Sequence, residues 1–474
     1  MQTESAADVI VIGGGIAGMV AANRAAQLGL KAIVLEQGGA EKYLCNTRYT
    51  GGTLHVCMRE IMEEPAALTR AIVEASNGFV TETLASTIAV EGRRVVRWLQ
   101  DEGMRFMKAS GAAYHRWVLA PPGRSRPGLD WEGRAGDVLL RTLGENLAKR
   151  GGAIQRGVRA QSLIIENGRC CGVIASGTHG SAGEVRLRAR AVVIADGGFQ
   201  GNADLVRLYI CAQPERIKQR GAGTGRGDGL RMAATAGAAL LGMDRFYGHL
   251  LSRDAFTNDQ LWPYPYLDTL ATAGIVVGPD GARFVDEGRG GVYIANAITK
   301  IADPLSAFVV FDHAIWEGPG RNGLIAPNPH LPGVGGTMIK AESIGALAQA
   351  IGVPAAALTQ SVQAHNAAHA SGTLLSLTPP RRATAKYQPM PIAQAPYYAA
   401  PLCTGITNTM GGIAINEHAR ALREDGSIIA GLYVAGAATG GLEGGPEVEY
   451  TGGLVKGGVT GLRAAEHIAQ ARVG

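Results

Sequence analysis

A short β-branched run, Asp8 to Ile12 (DVIVI), passes directly into Gly13-Gly14-Gly15-Ile16-Ala17-Gly18 and then into an alanine-rich stretch, Met19 to Gln27. That order reads as strand, tight turn and helix. Gly13 permits the turn, Gly15 lets backbone amides approach a pyrophosphate, and Gly18 allows close helix–strand packing, while the helix N-terminus offers partial positive charge. A second β run, Lys31 to Leu35, ends at Glu36, about 20 residues past the last glycine and placed to accept hydrogen bonds from a ribose 2′-hydroxyl. A dinucleotide fits this pattern. The acid repels a 2′-phosphate, which disfavours NADP and leaves FAD and NAD open.

The chain has 474 residues, more than one hydrophobic core usually serves, so two or three domains are expected. With 46% apolar residues and a mean hydropathy of +0.06, long disorder is excluded. Glycine, 68 residues, is roughly twice its usual share of about 7%, without a G-X-Y period. Basic residues are scattered and the net charge is only +5, which argues against a nucleic-acid stripe or a polybasic membrane patch and favours a small or anionic ligand. No apolar run reaches the roughly 18 to 20 residues of a membrane span, and the polar start lacks the order of a signal peptide, so a soluble, cytoplasmic chain is expected. The six cysteines include no CxxC or CxxCH, so any redox chemistry is expected from a cofactor other than a cluster or c-type haem, and no metal site is expected.

Three further segments carry a family pattern: Asn46-Thr47-Arg48-Tyr49-Thr50-Gly51-Gly52, Val192 to Phe199 (VVIADGGF), and Gly431 to Gly436 (GLYVAG). They resemble the FAD-dependent flavoproteins of the fumarate reductase/succinate dehydrogenase family, most closely tricarballylate dehydrogenase-like and 3-ketosteroid dehydrogenase-like members. Arg220-Gly221 leading to Gly227-Asp228-Gly229-Leu230, and Gly281 to Glu287 (GARFVDE), add to the match. The resemblance spans nearly the whole chain.

The resemblance implies an α/β fold: a Rossmann-type, glutathione-reductase-like FAD-binding domain with an inserted α+β capping domain. The expected limits are 1–242 for the first part of the FAD domain, 243–407 for the cap and 408–474 for the returning part. Residues Gly13, Gly15, Ile16, Ala17, Gly18, Glu36, Gln37, Asn46, Thr47, Arg48, Thr50, Gly51, Gly52, Ala195, Asp196, Gly197, Asn202 and Gly436 are implied at the FAD. Ala160 would give its backbone to the adenine, Asp228 would sit near the ribityl or pyrophosphate, and Gly453-Leu454-Val455 would cover the pyrimidine end. Where some relatives attach the flavin to a histidine, this chain has Arg48-Tyr49-Thr50, so non-covalent FAD is expected.

For the substrate, the resemblance implies His249 as a carboxylate or carbonyl contact, in the segment Met243 to His249. Arg289 stands close to the family's catalytic arginine, though offset by several residues. Asn408 replaces a second histidine. Tyr450 replaces the arginine of an RLGG sequence, in Glu449-Tyr450-Thr451-Gly452-Gly453. Losing that arginine removes a bidentate carboxylate fork, whereas a tyrosine hydroxyl and a helix-start amide suit a ketone oxygen that becomes an enolate. The expected reaction is desaturation of a small oxo-carboxylate, possibly cyclic. Tyr450 and the Gly453 amide would polarise the ketone, His249 and Arg289 would hold the carboxylate, and Tyr247, Tyr293 or Tyr114 would serve as base with help from Arg289 or Arg116. The β-hydride would pass to flavin N5, with oxygen or a redox partner as external acceptor. Trp262-Pro263-Tyr264-Pro265-Tyr266 reads as cap-shaping.

The alternative is a dicarboxylate or tricarboxylate enzyme of the tricarballylate or fumarate type. Arg289 would then shuttle the proton, and a second arginine such as Arg116 or Arg321 would be recruited. An electron-transfer subunit and a flavin hydroxylase are weaker options.

Overall fold

The computed structural model describes residues 5–178 and 183–471. The strand Ser5–Ile12 lies inside a parallel sheet, with Ala32–Glu36 and Ala153–Arg156 on one side and Val185–Ile194 and Ile428–Val434 on the other. Arg420–Leu422 closes one edge antiparallel, and the hairpin Val158–Glu166/Arg169–Gly177 pairs back onto Val185–Ile194. Val9, Ile10 and Val11 are buried on both sheet faces, which is why their run is continuously apolar rather than alternating.

The helix Ile16–Gln27 follows the glycine turn, and the last helix, Gly453–Gln470, packs against it. A Cβ at Gly461 would fall 2.6 Å from the Ala17 carbonyl, so the closeness of these two helices needs that glycine. The C-terminal segment thereby joins the core built by the N-terminal third.

A second core gathers around the strand Tyr397–Thr409. Phe246–Ser252, Phe308–Asp312 and Ile339–Ala341 pair with it antiparallel, Lys218–Gln219 pairs parallel, and Ile275–Val277 extends the sheet beyond Phe308–Asp312. The alanine-rich region forms two helices, Ile344–Ile351 and Ala355–Ser371, separated by Gly352 and Pro354. This second core also takes in Phe199, Val206, Ile210 and Ile217, which precede residue 243. Among the described residues no helix is long and apolar enough to cross a membrane, and no group of His, Cys, Asp and Glu is arranged to hold a metal.

Candidate active site

One cleft runs from the first glycine loop to the second core, enclosing about 1860 Å³ of space not filled by protein, its mouth included. Its lining brings the first glycine turn and the tyrosines of the second lobe into one continuous space, as a dinucleotide beside a substrate requires. Its first half is lined by Gly13, Gly15, Ile16, Ala17, Glu36, Gln37, Asn46, Thr47, Thr50, Gly51, Ala160, Ala195, Asp196, Gly197, Asp228 and Gly436. Gly13 adopts φ +102°, and a Cβ there would meet the Ala195 carbonyl at 2.6 Å. By contrast, the nearest atom to a Cβ at Gly15 is 3.4 Å away, leaving room on the ligand side.

Glu36 accepts from the backbone N–H groups of Gly14 and Gly38 at 2.9 and 2.8 Å, which aims the carboxylate along the cleft. Burial raises its pKa more than these bonds lower it. Asp196 Oδ1 is buried without a partner, and burial pushes this carboxyl up to about 7, so it suits a ligand hydroxyl or amide. Asp228 lines the cleft, but Arg159 already grips its carboxylate at 2.8 and 2.9 Å.

Other expected residues support the cleft from behind. Gly18 would place a Cβ 2.0 Å from the Gly13 carbonyl, so it serves helix packing. Arg48 is buried against Asp137 and donates to the Tyr43 carbonyl at 2.6 Å, holding the loop rather than lining the cleft. Gly52, at φ +87°, faces Ala135. Asn202 caps the helix Ala203–Tyr209 through Asp204 N–H and Leu205 N–H, and Val455 is buried in the core. None of these five is among the cleft-lining residues.

The other half of the cleft is aromatic. Tyr247 and His249 share one face of the strand Phe246–Ser252, as residues two apart do, and Asn408 stands opposite Tyr247 in the strand register. The Tyr247 hydroxyl lies 2.9 Å from His249 Nε2, and His249 Nδ1 lies 2.5 Å from Asp268. The Asp268 contact makes Nδ1 the donor, so Nε2 accepts from the Tyr247 hydroxyl. Burial keeps His249 below its usual pKa, although Asp268 raises it. Tyr450 stacks on Tyr247 with centroids 3.6 Å apart and planes 11° apart, and its oxygen accepts from Gly453 N–H at 2.7 Å.

Two expectations change here. Arg289 does not line the cleft: its guanidinium bonds Glu447 at 2.7 Å and lies 3.5 Å over the ring of Tyr293, which is also outside. The Gly453 amide is occupied by Tyr450 rather than free for a ketone. Arg116 and Arg321 pair with Glu60 and Glu317 outside the cleft.

Three residues missed in the sequence stand inside it: Tyr264, Arg124 and Arg220. The two guanidiniums lie 5.0 and 5.2 Å from the Tyr264 ring centre and interact with its phenol. Burial pushes that phenol up, yet the two cations more than cancel it, leaving Tyr264 below the ordinary tyrosine value. Trp262-Pro263-Tyr264-Pro265-Tyr266 is therefore part of the site, since Pro263, Tyr264 and Tyr266 all line it. Tyr266 stacks on His249 at 4.5 Å. The available signal was a pair of tyrosines among prolines, which hold backbone rigidly beside a ligand.

A cleft with a glycine turn at a helix start, an acid after the second strand and a second helix start at Gly453 is that of a dinucleotide-binding protein. The chain belongs to the FAD_binding_2 family, whose model, described as an FAD binding domain, matches residues 8–449. It is 25% identical over 473 residues to "Probable fumarate reductase Ifc3" of Shewanella frigidimarina (strain NCIMB 400), covering 97% of this chain and 75% of that protein. It is 26% identical over 542 residues to "4-oxocyclohexanecarboxylate 2-dehydrogenase" of Sinomonas cyclohexanicum, covering 96% and 90%. In fold it is similar to the 3-ketosteroid delta1-dehydrogenase from Sterolibacterium denitrificans in complex with 1,4-androstadiene-3,17-dione. That likeness has a TM-score of 0.75 and 21% identity, covering 98% of this chain and all of the other.

FAD is thus its cofactor, and the protein is an oxidoreductase acting on carbon–carbon bonds. The residues fit the group: the Gly13–Ala17 turn would hold the pyrophosphate, Glu36 the adenosine ribose, and the helix start at Gly453–Leu454 the electron-rich edge of the reduced ring.

Proposed function

We propose that this flavoenzyme desaturates a small cyclic oxo-carboxylate at the bond beside its carbonyl. An α-proton passes to a base on the protein while the β-hydrogen departs as hydride. FAD supplies the hydride acceptor, at N5, and is bound without a covalent link. Oxygen or a redox partner takes the electrons onward.

The Tyr450 contact with Gly453 carries this reading. Accepting an N–H from the start of an 18-residue helix leaves the phenol's own hydrogen free and makes it a better donor. Burial and neighbouring acidic groups hold Tyr450 well above its ordinary pKa, so it stays protonated and can stabilise an enolate oxygen. The Gly453 amide acts through the phenol.

Tyr264 is the base in this reading. Arg124 and Arg220 stabilise its phenolate, whereas burial pushes Tyr247 up to about 12. His249 has both ring nitrogens engaged, so it orients Tyr247 against Tyr450 instead of binding a carboxylate. The flat aromatic walls from Tyr247, Tyr266 and Tyr450 match an alicyclic ring, and one relative is named for a cyclic oxo-acid.

A second reading, oxidation or reduction of a dicarboxylate, is favoured by the two guanidiniums in the cleft. Anaerobic mixing of the yellow protein with 4-oxocyclohexanecarboxylate, a 3-ketosteroid, succinate and tricarballylate separates the two. The oxo-acid is expected to bleach the flavin. Bleaching by succinate or tricarballylate, but by neither ketone, replaces the first reading with the second. Acid precipitation is expected to leave the flavin in the supernatant.

A further inference from the structure

The desaturase reading leaves the substrate's carboxylate without a holder, because Arg289 is outside the cleft and His249 is fully engaged. We propose that Arg124 is the carboxylate anchor, contributed to the substrate end of the cleft by the loop that precedes the helix Ala135–Lys149. The inference rests on that reading for its substrate class, but its own evidence is separate.

Arg124 Nε is shielded from solvent and has no hydrogen-bond partner. Among the described residues no carboxylate lies within salt-bridge distance of its guanidinium, whereas Arg48, Arg283 and Arg289 are each paired. The ionisable side chains that weigh most on it are four phenols, Tyr264, Tyr266, Tyr247 and Tyr114. These are the residues of the aromatic half, away from the glycine turn, so the anion it awaits is not the cofactor's pyrophosphate. A partly buried guanidinium with no carboxylate beside it is a ready partner for an anion that arrives with the ligand.

Charge balance leads to the same assignment. Arg124 and Arg220 bring two positive charges to Tyr264. Arg220 is already held by the Pro263 carbonyl and Thr407 Oγ1, at 3.2 and 2.8 Å, which fixes it beside the phenol. Tyr264 offers one phenol oxygen to two guanidiniums, of which Arg220 is already held in place, so a monocarboxylate substrate supplies the counter-charge that Arg124 lacks. The loop geometry allows it: a Cβ at Gly51 would fall 2.5 Å from Arg124 Nε, so that glycine leaves the space the guanidinium fills. Gly51 stands three residues before Leu54 of the first core, and Tyr264 lies between Leu261 and Tyr266 of the second, so a carboxylate on Arg124 sits where both lobes meet. One end of the ring is then tied to Arg124 and the ketone end to Tyr450.

The test uses probes that cannot be desaturated next to a ketone: cyclohexanecarboxylate and cyclohexanecarboxamide, titrated into oxidised holoenzyme while the flavin absorbance is followed. The wild-type protein is expected to bind the acid about 10- to 100-fold more tightly than the amide. Arg124→Gln is expected to lose that preference by weakening the acid alone, with the amide unchanged. Arg124→Lys keeps the charge without the fork and is expected to fall between. Unchanged acid affinity in Arg124→Gln overturns the proposal, as does a wild-type protein that takes the amide as well as the acid, or takes neither. If Arg124→Gln does not retain flavin, the wild-type comparison and Arg124→Lys still decide. A protein that prefers the acid but turns over no oxo-acid keeps its anchor and loses the desaturase reading.

Discussion

The Tyr450 phenol oxygen sits 2.7 Å from the Gly453 backbone N–H at the first turn of the last helix. A neutral hydroxyl is thereby fixed at that helix start. Replacing Tyr450 with Phe deletes the donor and leaves the Gly453 N–H without its acceptor, while the ring can still stack on Tyr247. Turnover is expected to fall about 10²- to 10³-fold, the loss seen when one oxyanion donor is removed, with flavin content unchanged. Rapid-mixing measurement of flavin reduction checks this, and an unaltered rate removes the carbonyl clamp.

Tyr264→Phe removes the proposed base and is expected to slow flavin reduction about 10²- to 10⁴-fold. The wild-type kcat/KM should rise with pH, because the phenolate is the active form, with its inflection below the usual value of about 10. Arg220→Met withdraws one of the cations that lower it, so the inflection should move upward. A pH profile without that limb, or one that persists in Tyr264→Phe, assigns the proton to another group.

Arg289→Ala breaks the bond to Glu447 and the stacking on Tyr293 but takes nothing from the cleft. It is expected to leave kcat close to wild type, with any cost appearing as a small drop in thermal stability. Abolished turnover with normal flavin content would restore Arg289 as the proton shuttle of a dicarboxylate enzyme.

His55 is buried between Tyr450 and Tyr114, and burial, with Lys386 and Arg124 nearby, drives its pKa down to about 3. The unfolded chain takes up a proton near pH 6.5 that the folded chain refuses until about 3, so stability present above 6.5 is lost as pH falls toward 3. The slope is at most about 1.4 kcal/mol per pH unit for one such group. Melting temperature should therefore decline between pH 7 and 4, less steeply in His55→Gln. Parallel curves would mean that other groups carry the acid sensitivity.

The nucleotide end of this protein was readable in the linear chain because its determinants are local. A β run, glycines whose Cβ would strike the backbone, and an acid at the next strand end act over a few dozen residues, and each requirement is a property of backbone geometry. Tyr450 was marked by the resemblance, whereas its bond to the helix start three residues on, which occupies the Gly453 amide, appeared only in the folded chain. Arg289 looked suitable by sequence proximity, but its charge is neutralised by Glu447, more than 150 residues away. Tyr264, Arg124 and Arg220 come from three separate segments and acquire their surroundings only together: two guanidiniums lie within about 5 Å of one tyrosine ring, and the Arg124 guanidinium meets no carboxylate, because of what the two lobes bring close. Electrostatic environment is set by three-dimensional neighbours, so the cofactor cradle was written in the sequence while the proposed base and anion site emerged from the folded cleft.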